Sequence, residues 1–130
     1  MQVAIVKYNA GNIQSVSYAL NRLGIEPVVT NDPEVLYKAD KIIFPGVGDA
    51  GTAMPYLRER HLDEVLVSLK QPFLGICFGM QLMCKHSEEG DVDCLGIFYV
   101  NVKRFPSGKE KIPHMGWNTI NNLQGSLLKN

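Results

Sequence analysis

Residues 71–81 read QPFLGICFGMQ, and the way this stretch folds decides how the rest of the chain is arranged. A short apolar run, Phe73–Ile76, meets a cysteine that has one glycine two places before it and another two places after. Gly75-x-Cys77-x-Gly79 has the shape of a nucleophile elbow. There a strand turns into a helix so tightly that the neighbours must be small, and the nucleophile is held out at the tip. The competing reading is a buried core cysteine, since cysteine packs like a small hydrophobe. The two glycines and the strand-to-helix setting favour the elbow. A cysteine at a helix N-terminus stands where the thiolate, its reactive form, is favoured. The Phe78 amide, one residue on, would point toward a developing oxyanion. Cys84 and Cys94 lack these features and read as packing residues.

Outward from the elbow, short apolar runs alternate with helical patterns. VAIV (3–6) reads as a first buried strand, followed by the loop KYNAGN. Ile13, Val16, Leu20 and Leu23 recur at helical spacing and stop at Gly24. EPVVT is a second strand, and Asp32-Pro33 supplies an N-cap and a first-turn proline for a short helix. KIIF (41–44) is a third strand, followed by a glycine loop and a helix near Thr52–Arg60. Asp63 and Glu64 open the next helix, through about Lys70. PFLGI is the fourth strand, and Met80, Met83 and Cys84 carry the helix after it, with His86 toward its end. LGIFYVNVKRF and MGWNTI look like strands without a helix between them. The reading is therefore a doubly wound α/β domain on a mostly parallel sheet with an antiparallel extension. Loops 7–12, 45–51 and 77–79 then share the carboxyl edge of the sheet, where functional groups gather.

Composition narrows the classes. A chain of 130 residues, 45% hydrophobic and 20% charged, suits one globular domain. Thirteen basic residues balance thirteen acidic ones, so no global field draws nucleic acid or an anionic membrane. No apolar stretch approaches the roughly 20 residues a bilayer requires, and the first residues have no signal-peptide pattern. Three cysteines without a Cys-x-x-Cys pair argue against disulfides and structural zinc. Neither a metal nor a cofactor is expected, and a reducing cytoplasm is the expected setting.

PGVGDAG contains Gly46-x-Gly48-x-x-Gly51, the spacing of a dinucleotide fingerprint. That fingerprint belongs to the first strand–helix turn and expects an acid about 20 residues on. Here it follows the third strand and the acid is missing. The loop reads better as backbone donors facing Cys77, the alternative being a plain tight turn. Of the three histidines, His61 and His86 read as ordinary surface. His114, beside Met115 and the only tryptophan, Trp117, belongs either to a core plug or to an interaction patch.

FPGVGDAGTAMPYLRE, LGICFGMQLM, HSEEGDVDCLGIF and PHMGWN, in this order and spacing, resemble class I glutamine amidotransferases. Within that family they are most similar to the glutaminase subunits of imidazole glycerol phosphate synthase, over nearly the whole chain. The resemblance implies a flavodoxin-like sheet and hydrolysis of L-glutamine to glutamate and ammonia through a thioester on Cys77. It implies an oxyanion hole from Val47, Gly48 and Phe78, and glutamine binding by Gly46, Gln81 and Glu89. It also implies a heterodimer in which ammonia passes to a cyclase subunit, a (β/α)8 barrel, for imidazole ring formation in histidine biosynthesis. Asn12, His114, Met115 and Trp117 would face that partner.

Two departures stand out. Lys7 and Asn9 replace the Asp and Gly of the DYGAGN loop common among relatives, while Gly11-Asn12 remain. The family also completes its triad with a His and a Glu in a His-Pro-Glu segment, and residues 1–130 contain none. The expectation is thus a single amidotransferase domain cut short at its C-terminal end, inactive as it stands. The alternative is a non-catalytic partner-binding remnant of the same fold. A cysteine peptidase-like hydrolase on a similar sheet would carry a histidine right after the nucleophile, where Phe78 stands.

Overall fold

The computed structural model describes residues 1–108 and 111–128. Four short strands, β1 (Val3–Val6), β2 (Val28–Thr30), β3 (Lys41–Phe44) and β4 (Phe73–Gly75), form a parallel sheet in the order β2-β1-β3-β4. All four residues of β1 are buried. The reason is that β1 is central and covered on both faces, so its sequence does not alternate. Val3 and Ile5 meet helix α1 (Ile13–Arg22) through Leu20, Ile13 and Val16. Ala4 and Val6 enter a larger core with Ile42, Phe44 and the apolar residues of α2 (Pro33–Lys38), α3 (Ala50–Glu59) and α4 (Leu62–Ser68).

The start and stop signals act as their chemistry dictates. Asp32 caps α2 by accepting the Glu34 N–H at 2.9 Å, with Pro33 in the first turn. Gly24 closes α1 at a φ of +74°. Helix α3 begins two residues before the expected Thr52. Asp49 is its N-cap, accepting the Thr52 N–H at 3.0 Å and its hydroxyl at 2.8 Å.

The chain beyond the elbow departs from its periodicity. Helix α5 (Phe78–Leu82) ends before Cys84, which instead opens strand β5 (Cys84–Ser87), and His86 lies on that strand. The carbonyls a longer helix would have used internally go elsewhere. Those of Leu82, Met83 and Cys84 accept from the amides of Leu95, Phe98 and Gly96 at 2.8–2.9 Å. Strand β5 pairs antiparallel with β6 (Val92–Asp93) and parallel, through a bulge, with β7 (Phe98–Val102). The extension is therefore a small mixed sheet, neither wholly antiparallel nor built from MGWNTI. Residues 115–120 form no strand and are exposed.

The strand order places the reversal between β1 and β3, and crevices at such reversals bind ligands beyond the carboxyl ends. Loops 7–12, 45–49 and 76–77 leave the sheet there, from three adjacent strands.

Candidate active site

Cys77 sits between β4 and α5 with φ 53° and ψ −118°, a conformation a non-glycine residue holds only under constraint from its surroundings. Its side chain is exposed. The flanking glycines show what holds it. A Cβ on Gly75 would fall 2.6 Å from the Met80 Cα and from the Met83 sulfur. A Cβ on Gly79 would overlap the Phe44 carbonyl oxygen. The elbow is thus wedged onto the end of β3, and the Ile76 N–H donates to that same Phe44 oxygen at 3.0 Å. The glycines are required by close approach, as an elbow demands.

Within the elbow, the Gly79 N–H is given to the Ile76 carbonyl at 3.0 Å and that of Gln81 to the Cys77 carbonyl at 3.2 Å. The Phe78 N–H, at the first position of α5, has no acceptor among the described residues. The Phe78 side chain is buried, while its amide stays at the elbow.

The glycine loop after β3 lies against this turn. A Cβ on Gly46 would stand 2.6 Å from the Gly79 nitrogen and 2.8 Å from the Phe78 ring. Gly48 has φ +142°, open to glycine and strained for other residues, with no close neighbour. Val47 is exposed. A Cβ on Gly51 would lie 3.6 Å from the Gly90 Cα, so the turn carrying Glu89 rests against the start of α3. Glu89 is exposed, and Gln81 is partly exposed on α5. The structure therefore gathers Gly46, Val47, Gly48, Cys77 and Phe78 at one edge, and brings the Glu89 turn to the helix that the glycine loop leads into.

The histidines are all engaged elsewhere. His61, in the link between α3 and α4, has Nδ1 3.7 Å from the Glu64 carboxylate. His86 stands between Asp93 (Nδ1, 2.9 Å) and Asp91 (Nε2, 3.3 Å). The His114 ring nitrogen Nε2 is 2.9 Å from the Asn118 amide nitrogen. Asn12 caps α1, accepting from the Ser15 N–H at 3.3 Å, with its residue still exposed. Met115 and Trp117 are exposed, Trp117 fully, which removes the core-plug reading within the described residues. No cluster of three or more His, Cys, Asp or Glu side chains able to hold a metal occurs among the described residues.

One residue at the site escaped the sequence reading. Tyr8 is buried beneath the glycine loop, and its hydroxyl donates to the Pro45 carbonyl at 2.7 Å. Burial, and secondarily the negative charge that Cys77 carries as a thiolate, push its pKa well above the ordinary phenol value. Nothing in KYNAGN marks Tyr8, because its partner lies 37 residues away. The thiols of Cys84 and Cys94 are both pushed up by burial, and Cys94 further by its neighbours Cys84 and Asp93 against the opposing pull of Arg58.

The family profile "Glutamine amidotransferase class-I" matches residues 4–129. The chain belongs to the class-I glutamine amidotransferase family. It is 62% identical to the imidazole glycerol phosphate synthase subunit HisH of Bacteroides thetaiotaomicron, over 99% of this chain and 67% of that protein. It is 63% identical to the HisH subunit of a Bacteroides fragilis strain over the same shares, and 48% identical to that of Idiomarina loihiensis over 92% of this chain and 61% of the relative. The chain thus spans about two thirds of the length of the two Bacteroides relatives. Membership agrees with the architecture: a parallel four-stranded sheet between helices, a cysteine elbow at its carboxyl edge, and a small second sheet. No helix among the described residues is long and apolar enough to cross a membrane.

Proposed function

We propose that the chain is the glutaminase component of an imidazole glycerol phosphate synthase, with Cys77 as its nucleophile. The observation that carries this reading is the constrained, exposed Cys77 at the tip between β4 and α5. The Cys77 Sγ attacks the carboxamide carbon of glutamine, and the oxygen takes the negative charge. The C–N bond breaks, the nitrogen leaves as ammonia after gaining a proton, and a glutamyl thioester remains. Water then cleaves the C–S bond to give glutamate. Backbone amides at Val47–Gly48 and Phe78 stabilise the oxyanion. Gly46 shapes the pocket, and Gln81 and Glu89 hold the amino-acid end of glutamine.

Ammonia then passes to a cyclase subunit, a (β/α)8 barrel, in a cytoplasmic heterodimer. The relatives' description as a synthase subunit supports a partner, and so do Met115 and Trp117, large apolar side chains held open to solvent. We assign Asn12 and His114 to the same partner-facing role. Lys7 and Asn9 alter the loop beside Asn12, and with it the polar contacts this face offers.

A second reading, a docking module without hydrolysis of its own, applies to residues 1–130 taken alone. All three histidines of the chain are engaged away from Cys77. General-base help is worth about 10²- to 10⁴-fold, so residues 1–130 alone should show negligible glutamine turnover. Turnover approaching that of a longer relative would mean that one of these histidines serves as base. In a form of the protein that does hydrolyse glutamine, Cys77→Ala should abolish it, because no other group forms the thioester. Cys84→Ala and Cys94→Ala should retain most activity. Comparable losses at all three cysteines would remove Cys77 from its role.

A further inference from the structure

We propose that Tyr8 is a positioning residue that locks the peptide between Pro45 and Gly46, so that conformational freedom in the oxyanion loop is confined downstream, to Val47 and Gly48. The proposal rests on the reading of Val47–Gly48 as oxyanion donors. Strand β1 sends alternate residues to opposite faces, and continuing that alternation carries Tyr8 into the same core as Ala4 and Val6. There its ring packs on Phe44, with centroids 5.0 Å apart and planes at 45°. From this seat the hydroxyl reaches the Pro45 carbonyl at 2.7 Å, in a buried bond.

The bond matters because of the residue it meets. Proline has φ fixed by its ring, and a held carbonyl fixes ψ as well, so Pro45 has no soft torsion left. The next residue is seated just as closely. A Cβ on Gly46 would lie 2.6 Å from both the Tyr8 oxygen and the Gly79 nitrogen. Two residues later the constraint ends. The nearest atom to a Cβ on Gly48 would be 3.5 Å away, and Val47 is 57% exposed. A rigid stem thus carries a free tip, and the phenol forms the boundary between them. With its pKa held high, Tyr8 stays protonated and keeps donating across the working range of pH. A phenol that merely filled the core could be replaced by phenylalanine without consequence for the loop.

Two alkylating probes separate these possibilities in the 130-residue chain. A chloroketone analogue of glutamine is attacked by Cys77 at its carbonyl, which passes through an oxyanion before the sulfur–carbon bond settles on the methylene and chloride leaves. Iodoacetamide is displaced directly, with iodide leaving and no oxyanion formed. The ratio of the two rates therefore reads the hole rather than the thiol. Losing one oxyanion donor costs about 10²- to 10³-fold, and a loosened donor should cost less. Tyr8→Phe should lower the chloroketone rate about tenfold while the iodoacetamide rate stays within about twofold. An unchanged ratio, or a parallel fall in both rates, would overturn the proposal. Gly48→Val in the same assay keeps the two readings apart. A ratio untouched by Gly48→Val would mean that the oxyanion loop itself is misassigned. A ratio lowered by Gly48→Val but not by Tyr8→Phe would remove only Tyr8. Should Tyr8→Phe fail to fold, amide relaxation of the unaltered chain decides, with Gly46 expected rigid and Gly48 mobile. Equal mobility of the two glycines would overturn the proposal.

Discussion

Around Cys77 each small residue is demanded by a neighbour, whereas from Phe105 to Leu128 the apolar side chains lie open. Gly75 and Gly79 leave room for Met80 and Phe44 within van der Waals distance, and Phe78 and Leu82 are buried beside them. In the other region Phe105, Met115, Trp117, Ile120 and Leu127 are each more than half exposed. Both stretches are apolar, yet only the first has its conformation over-determined by packing. The contrast teaches where each region's role is stored. The elbow carries its geometry within the chain, while the described apolar residues of the other region present area whose use depends on what meets it.

Substitution at Gly79 should produce the largest effect and breaks the comparison from its rigid side. Gly79→Ala places a methyl against the Phe44 carbonyl, which is backbone and cannot swing away. Overpacking typically costs about 1–3 kcal/mol and at times more, and the upper end applies here. Denaturant unfolding should show a loss of about 3 kcal/mol, and a loss below about 0.5 kcal/mol would show that the elbow is looser than the contacts imply.

Thiol reactivity comes next. Cys77 is exposed, while Cys84 is buried and Cys94 half-buried, and both have raised pKa values. Because the thiolate is the nucleophile, limited iodoacetamide at neutral pH should label Cys77 about tenfold or more faster than the other two. Peptide mapping showing equal labelling would place Cys77 in a less open setting.

The open region is tested by Trp117→Ala. A core plug would lose about 3–5 kcal/mol, but a fully exposed side chain should change stability by no more than about 0.5 kcal/mol. Association with a cyclase subunit should weaken in the same variant. A large drop in stability with binding intact would reverse the assignment.

The smallest effect concerns the hairpin that carries Glu89. The His86 ring nitrogen beside Asp93 holds that carboxyl below its ordinary value, chiefly through their hydrogen bond. A carboxyl depressed in the folded state stabilises the fold above its unfolded pKa and loses that contribution as pH falls through the folded value. Asp93 is exposed, so screening keeps the effect modest. Acid titration of stability should lose a small component below about pH 4 in Asp93→Asn, and an identical titration curve would show that the pair contributes nothing.

The sequence alone determined the parallel α/β framework, because its local signals are strong and agree. VAIV reads as a doubly buried strand, Asp32-Pro33 as a cap, and Gly24 as a stop, and each is what the structure contains. The Gly-x-Cys-x-Gly spacing likewise announced the elbow, since only glycine tolerates the approach it makes to β3. Only the tertiary structure decided the chain after Leu82. Met80, Met83 and Cys84 have helical spacing, but the amides of Leu95, Gly96 and Phe98 capture the carbonyls a longer helix would need. Those competitors are 12 to 15 residues away, beyond the reach of any local pattern. Tyr8 was hidden for the same reason. Its bond to Pro45 spans 37 residues, and a contact of that range exists only once β1 and β3 lie side by side.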